Sequence, residues 1–190
     1  MAAGIVYLSY PSGSDKHAPI SASDVCKPLS NDTSVATLKQ VLPEQSDFSF
    51  DEEPEASRLP AEVSDSYSTS CFIRGDQNLL LSVRARMMRA EPPNSWAREI
   101  FAGRDDEAGR VSRFEAGTRG VASPIRAAAF IPCAPKGKIP GGSYNISVVV
   151  SLKKRGDVSD AQSRDGLIDL VTSFGKHAHK NAGCTLPSRI

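Results

Sequence analysis

Two stretches alternate apolar and polar residues with the period of a strand. Over residues 144–152, Tyr144, Ile146, Val148, Val150 and Leu152 share one face, and Asn145, Ser147, Val149 and Ser151 share the other. Its β-branched content marks it as the clearest strand in the chain. Residues 79–88 repeat the pattern, with Leu79, Leu81, Val83, Ala85 and Met87 on one side. Leu80, Ser82, Arg84, Arg86 and Met88 fall on the other, so one face is buried and one is wet or partly covered. A second strand over 67–73 joins it through Arg74-Gly75-Asp76-Gln77-Asn78, whose Gly and Asn suit a tight turn.

The helical period occurs at both ends of the chain. Val35, Leu38, Val41 and Leu42 follow the capping residues Asn31 to Ser34, and Pro43 stops the helix. Near the C-terminus Leu167, Leu170, Val171, Phe174 and Ala178 form one stripe behind the capping box Ser159/Gln162. Gly183 fits the position just past the end, and Lys176, His177, His179 and Lys180 suit the negative end of the dipole. That helix, about 35 Å long, spans a sheet of several strands.

Between these elements the signals are weaker. Phe48-Ser49-Phe50 predicts an edge strand inside an acidic, proline-punctuated segment, residues 44–65. Ser95 predicts the cap of a short helix over 96–102, and 103–109 a charged turn. Residues 111–116 and 125–131 predict further strands, separated by a flexible Gly117-Thr-Arg-Gly-Val-Ala-Ser-Pro124 connection. Residues 134–142 predict a basic hairpin loop of proline and glycine. The expected fold class is α+β, a largely antiparallel β-sheet packed by the long C-terminal helix.

Length and composition fit one globular domain: 190 residues, 39% hydrophobic, with an aliphatic core because only 6% are aromatic. The division expected is a stalk linker or truncated membrane-anchor end over 1–23 and a single α+β domain over 24–190. The apolar stretch 2–10 is too short to span a bilayer, which takes about 20 residues. It reads as an ordinary first strand or, by preference, as the outer end of a membrane anchor. A net charge of +1 argues against nucleic acid as a partner.

Cys26, Cys71, Cys133 and Cys184 are dispersed and form no metal-binding pair. Two disulfides, and with them an oxidising compartment, explain them better than four buried thiols. Of the three possible pairings, Cys26–Cys71 with Cys133–Cys184 is favoured, since it closes two successive loops of similar length, each spanning a helix and strand unit.

No catalytic motif is present, and no cofactor is expected. His177 and His179 lie two apart on a helix and point to different sides, so they cannot jointly grip a metal. Paired carboxylates at 51–53 and 105–107 sit in loop-like, charged surroundings, and a metal ion among the acids of 44–65 is disfavoured because no EF-hand pattern exists. Candidate binding residues remain. Trp96, the only Trp, is either a core plug or, less favoured, a partner anchor. Arg84 and Arg86, joined by Lys153, make a basic patch if their strands are neighbours.

The early Cys26 before a short helix, Cys71 before a strand, the run PCAPKGKIPGGSYNISVVVSL and the closing His-Lys-Asn-Ala-Gly-Cys184 resemble exported domains of actinobacterial cell envelopes, of membrane-anchored or lipoprotein type. The resemblance covers most of 24–184. It implies a compact α+β domain similar to PsbP-like lipoprotein folds and transfers no site residue. The expected function is therefore a non-catalytic extracytoplasmic binding or sensor domain, membrane-anchored or secreted, with a protein or envelope ligand as partner. The alternatives are a secreted hydrolase-like enzyme with a site invisible in sequence, and a structural subunit of an envelope complex.

Overall fold

A computed structural model of the chain describes residues 20–53, 66–103 and 110–190. Seven strands form one antiparallel sheet: β1 (Phe48–Glu53), β2 (Ser68–Gly75), β3 (Asn78–Arg89), β4 (Ser112–Phe114), β5 (Arg119–Ser123), β6 (Arg126–Ile139) and β7 (Gly142–Leu152). Their order across the sheet is β1-β2-β3-β7-β6-β5-β4. After β3 the chain crosses to the far edge through helix α2 (Pro93–Phe101), then returns strand by strand until β7 lies beside β3.

The predicted α+β architecture is the one observed. Helix α3 (Asp160–Asn181) covers one face together with α1 (Asp32–Val41). Its stripe Leu167, Leu170, Val171, Phe174 and Ala178 is fully buried against Ile146, Val148 and Val150 of β7 and their neighbours. Burying a side chain of this size stabilises the fold by roughly 1.5–3 kcal/mol. Glycine lets the layers come this close: a Cβ on Gly166 would stand 2.6 Å from Val41 Cγ1, and one on Gly175 would stand 2.8 Å from Ile131 Cδ1. The capping box forms as expected, with Ser159 accepting from the Gln162 N–H.

Both disulfides have the expected pairing, Cys26–Cys71 and Cys133–Cys184, and no free thiol remains. They are consistent with an oxidising, extracytoplasmic setting. The second fastens the segment after α3 to β6, where Thr185 and Leu186 N–H groups donate to the Cys133 carbonyl. His179 reinforces that seam with a hydrogen bond from its ring to the Pro132 carbonyl.

Several local expectations change. The hairpin turns at Asp76-Gln77, both at positive φ, rather than at the flanking Gly and Asn. Gly75 belongs to the strand, where a Cβ would meet Gln45 Cγ at 2.4 Å. A register shift opposite Ile73/Arg74 sends Leu80 into the same core as Leu81, against simple alternation. Helix α2 starts at Pro93, so Ser95 lies inside it and is not its cap. The connection read as flexible contains β5, and the proline-glycine loop is mostly the continuation of β6 through two irregularities.

Ile20 packs into the core, within the stretch read as linker. The proposed anchor end, most of the linker and the charged turn at 104–109 lie outside the described residues. Among the described residues no helix is long and apolar enough to cross a membrane.

Candidate anion-binding cleft

The sheet's second face is sorted by charge. Cross-strand registry aligns Glu53, Ser70, Arg84 and Val149 in one row over β1, β2, β3 and β7. The next row holds Ser68, Arg86, Ser147 and Phe130 over β2, β3, β7 and β6. Strand neighbours stand about 4.8 Å apart, so each row forms a continuous line of side chains.

Helix α2 covers only part of this face. Trp96 is its centre: it is 1% exposed, its ring stacks on Phe130 at 4.9 Å, and its indole N–H donates to Ser147 Oγ at 2.9 Å. Arginines hold the two ends. Arg119 donates to Asn94 Oδ1 near the start, and Arg126 donates to the Ile100 carbonyl in the last turn, at 3.3 Å. A cation at a helix C-terminus is favoured by the dipole.

Where α2 stops, a cleft of about 510 Å³ opens. Its floor is Ser68, Ser70 and Ser147, its basic side is Arg84 and Arg86, and Ile100 with Val149 forms an apolar wall. Glu53 closes the far end. Neither Arg84 nor Arg86 forms an ion pair among the described residues. Arg84 lies over the Phe72 ring, 5.1 Å from its centroid, which steadies the guanidinium at its face. Ser70 is 3% exposed, and its side chain lines the cleft. Ser147 accepts from Trp96, which leaves its own O–H free to donate into the cleft.

Two guanidiniums against one carboxylate leave the cleft positive. Every serine can donate, and arginine donates in a fork that matches carboxylate or phosphate. No aromatic ring is among the described residues that line the cleft. Among the described lining residues no imidazole or amine stands beside its hydroxyls. Among the described residues, no group of three His, Cys, Asp or Glu could hold a metal ion.

The residues singled out from the sequence therefore separate. Arg84 and Arg86 come together in the cleft. Burial removes Trp96 from contact with a ligand, so it plugs the second core and positions the wall. Lys153 does not join the arginines: β3 and β7 are neighbours, but antiparallel pairing puts Lys153 beside Leu80, its N–H donating to that carbonyl at 2.7 Å. Val149 is the residue opposite Arg84, and Lys153 lies four positions further, roughly 13 Å along the strand. Glu53, Ser68, Ser70 and Ser147 completed the site without any sequence signal beyond the alternation of their strands, and Ile100 joined it from α2. Comparison with protein-family models, with curated proteins and with solved structures finds no match.

Proposed function

We propose that the protein is a non-catalytic binding domain of the bacterial cell envelope, held outside the cytoplasm and anchored or secreted through its N-terminal segment. Its ligand carries a carboxylate or phosphate that lies between Arg84 and Arg86 over the serine floor. The observation that carries this reading is a pair of arginines that outnumber the single carboxylate of the cleft and stand beside three serine hydroxyls. An anion there accepts from both guanidiniums and from the serine hydroxyls at once.

Titration calorimetry with inorganic phosphate, acetate and citrate at constant ionic strength tests it. The wild type should bind at least one of them, and the pair of substitutions Arg84→Ala and Arg86→Ala should weaken that binding at least about tenfold. Lys153→Ala should leave it unchanged. Equal affinity in wild type and the arginine variant refutes the assignment. Steady turnover of an ester or phosphoester that Ser70→Ala abolishes would refute the non-catalytic part.

A further inference from the structure

The opposite flank of α2 carries a second concentration of positive charge. A cleft of about 430 Å³ lies between α2 and the β4–β5 edge of the sheet. Arg98 of α2, Arg113 of β4 and Arg119 of β5 converge on it, and Phe101, Val111 and Val121 supply an apolar wall. No acidic side chain is among the described residues that line it. Arginine stays protonated at any physiological pH, so the three charges cannot relieve their repulsion by losing a proton.

Their hydrogen-bonding capacity is also underused. Arg98 gives one bond to Ser95 Oγ at 3.2 Å, and Arg119 gives one to Asn94. The Arg119 Nε–H is buried without an acceptor. None of the three forms an ion pair among the described residues. The remaining donors of the three guanidiniums meet no acceptor of opposite charge among the described residues. Apolar walls lower the local dielectric, which strengthens attraction for an anion there over that at an open surface.

We propose that this cleft is a second anion site, separate from the one at Arg84 and Arg86, which takes a phosphate or carboxylate group against Arg98, Arg113 and Arg119. Its ligand differs in character from that of the first cleft. Without a serine floor or a carboxylate at one end, the site favours a compact anion joined to an apolar group over one bearing many hydroxyls. The site stands whether or not the first cleft binds anything, because the two lie on opposite flanks of α2 and share no lining residue.

The experiment is a phosphate, benzoate and acetate titration followed by amide and indole NMR, with chloride replaced at fixed ionic strength. Arg98→Ala with Arg113→Ala is the test variant, since both side chains are exposed. Arg119 is left in place because it holds Asn94. Expected are saturable shifts in residues 94–101 and 111–121, weakened at least tenfold in this variant and retained in the variant with Arg84→Ala and Arg86→Ala. Benzoate should bind more tightly than acetate.

Shifts that weaken equally in both variants would reduce the effect to general charge attraction and overturn the proposal. A further variant neutralises the acids that lie between Phe101 and Val111 in sequence, Asp105→Asn, Asp106→Asn and Glu107→Gln. Unchanged affinity supports a site for an external anion, while a tenfold gain shows that these carboxylates already fill the cleft and overturns it.

Discussion

The bond between Trp96 and Ser147 sets how firmly α2 sits on the sheet, and a double-mutant cycle measures it. The indole is 1% exposed and its N–H reaches Ser147 Oγ at 2.9 Å. Ser147→Ala removes the acceptor and leaves a buried donor, at a cost of about 1–3 kcal/mol. Trp96→Phe removes the donor and part of the stack on Phe130, for about 2 kcal/mol. When both are replaced the orphaned donor no longer exists, so the double variant should cost about 1 kcal/mol less than the sum of the singles. Each single change should lower Tm by about 4–8 °C in a chain of this size. Urea unfolding followed by far-ultraviolet circular dichroism is the assay, because Trp96→Phe removes the only tryptophan fluorescence. A Ser147→Ala variant within about 0.3 kcal/mol of wild type would show that the bond contributes nothing. Strict additivity would show that the two residues act independently.

Other outcomes follow from separate parts of the fold. Replacing Cys133 and Cys184 by serine frees a loop of sequence separation 51, which chain entropy values at about 4 kcal/mol, or roughly 10 °C in Tm; calorimetry showing a loss below 1 °C would contradict that. Gly117 sits at φ +60°, and a Cβ there would lie 2.3 Å from the Phe130 carbonyl oxygen, so Gly117→Ala should destabilise by about 2 kcal/mol or more in urea. The hydrogen bond from Arg155, aided by the charges of Arg155 and Arg110, holds the Asp160 carboxyl below its ordinary 3.8. Its contribution to stability is therefore present above 3.8 and fades as the pH falls through the lower folded value. Asp160→Asn should flatten that part of the acid-unfolding curve, and a carboxyl NMR titration should show the low midpoint vanish in Arg155→Ala.

The parts of the fold that declared themselves in sequence are those where one face is apolar and the other polar. Strand β3, α1 and α3 each bury one side only, and β7, though buried on both faces, sets Asn and Ser against its apolar side, so the period survives in the residue pattern. Strand β5 does not: Val121, Ala122 and Ser123 are buried on both faces, and small residues next to Gly120 resemble a loop when read alone. Strand β6 is interrupted by Pro132 and Pro135, which ordinarily end a strand, yet register irregularities carry it past them. Arg84 and Arg86 were visible because charge alternates with core along β3. The rest of the cleft was not, because Glu53, Ser70 and Ile100 meet only through strand order and through α2 crossing the sheet. The same reason hides Arg98, Arg113 and Arg119, which come from one helix and two strands.

The bridges also decide how the domain carries mechanical load. Tension applied between residues 20 and 190 reaches Cys26 and Cys184 first, and each passes it across a disulfide, to β2 and to β6 respectively. The bypassed segments, of separation 45 and 51, include α1, β1, all of β7 and α3, and none of them can be drawn out. Reduction would release about 340 Å of extra extensible chain, a difference that single-molecule stretching resolves directly. With the bridges intact, the pull runs sideways through β2, β3, β7 and β6. Three of those strands form the floor and basic side of the arginine cleft, so a force along the chain deforms the ligand's seat before it touches either long helix.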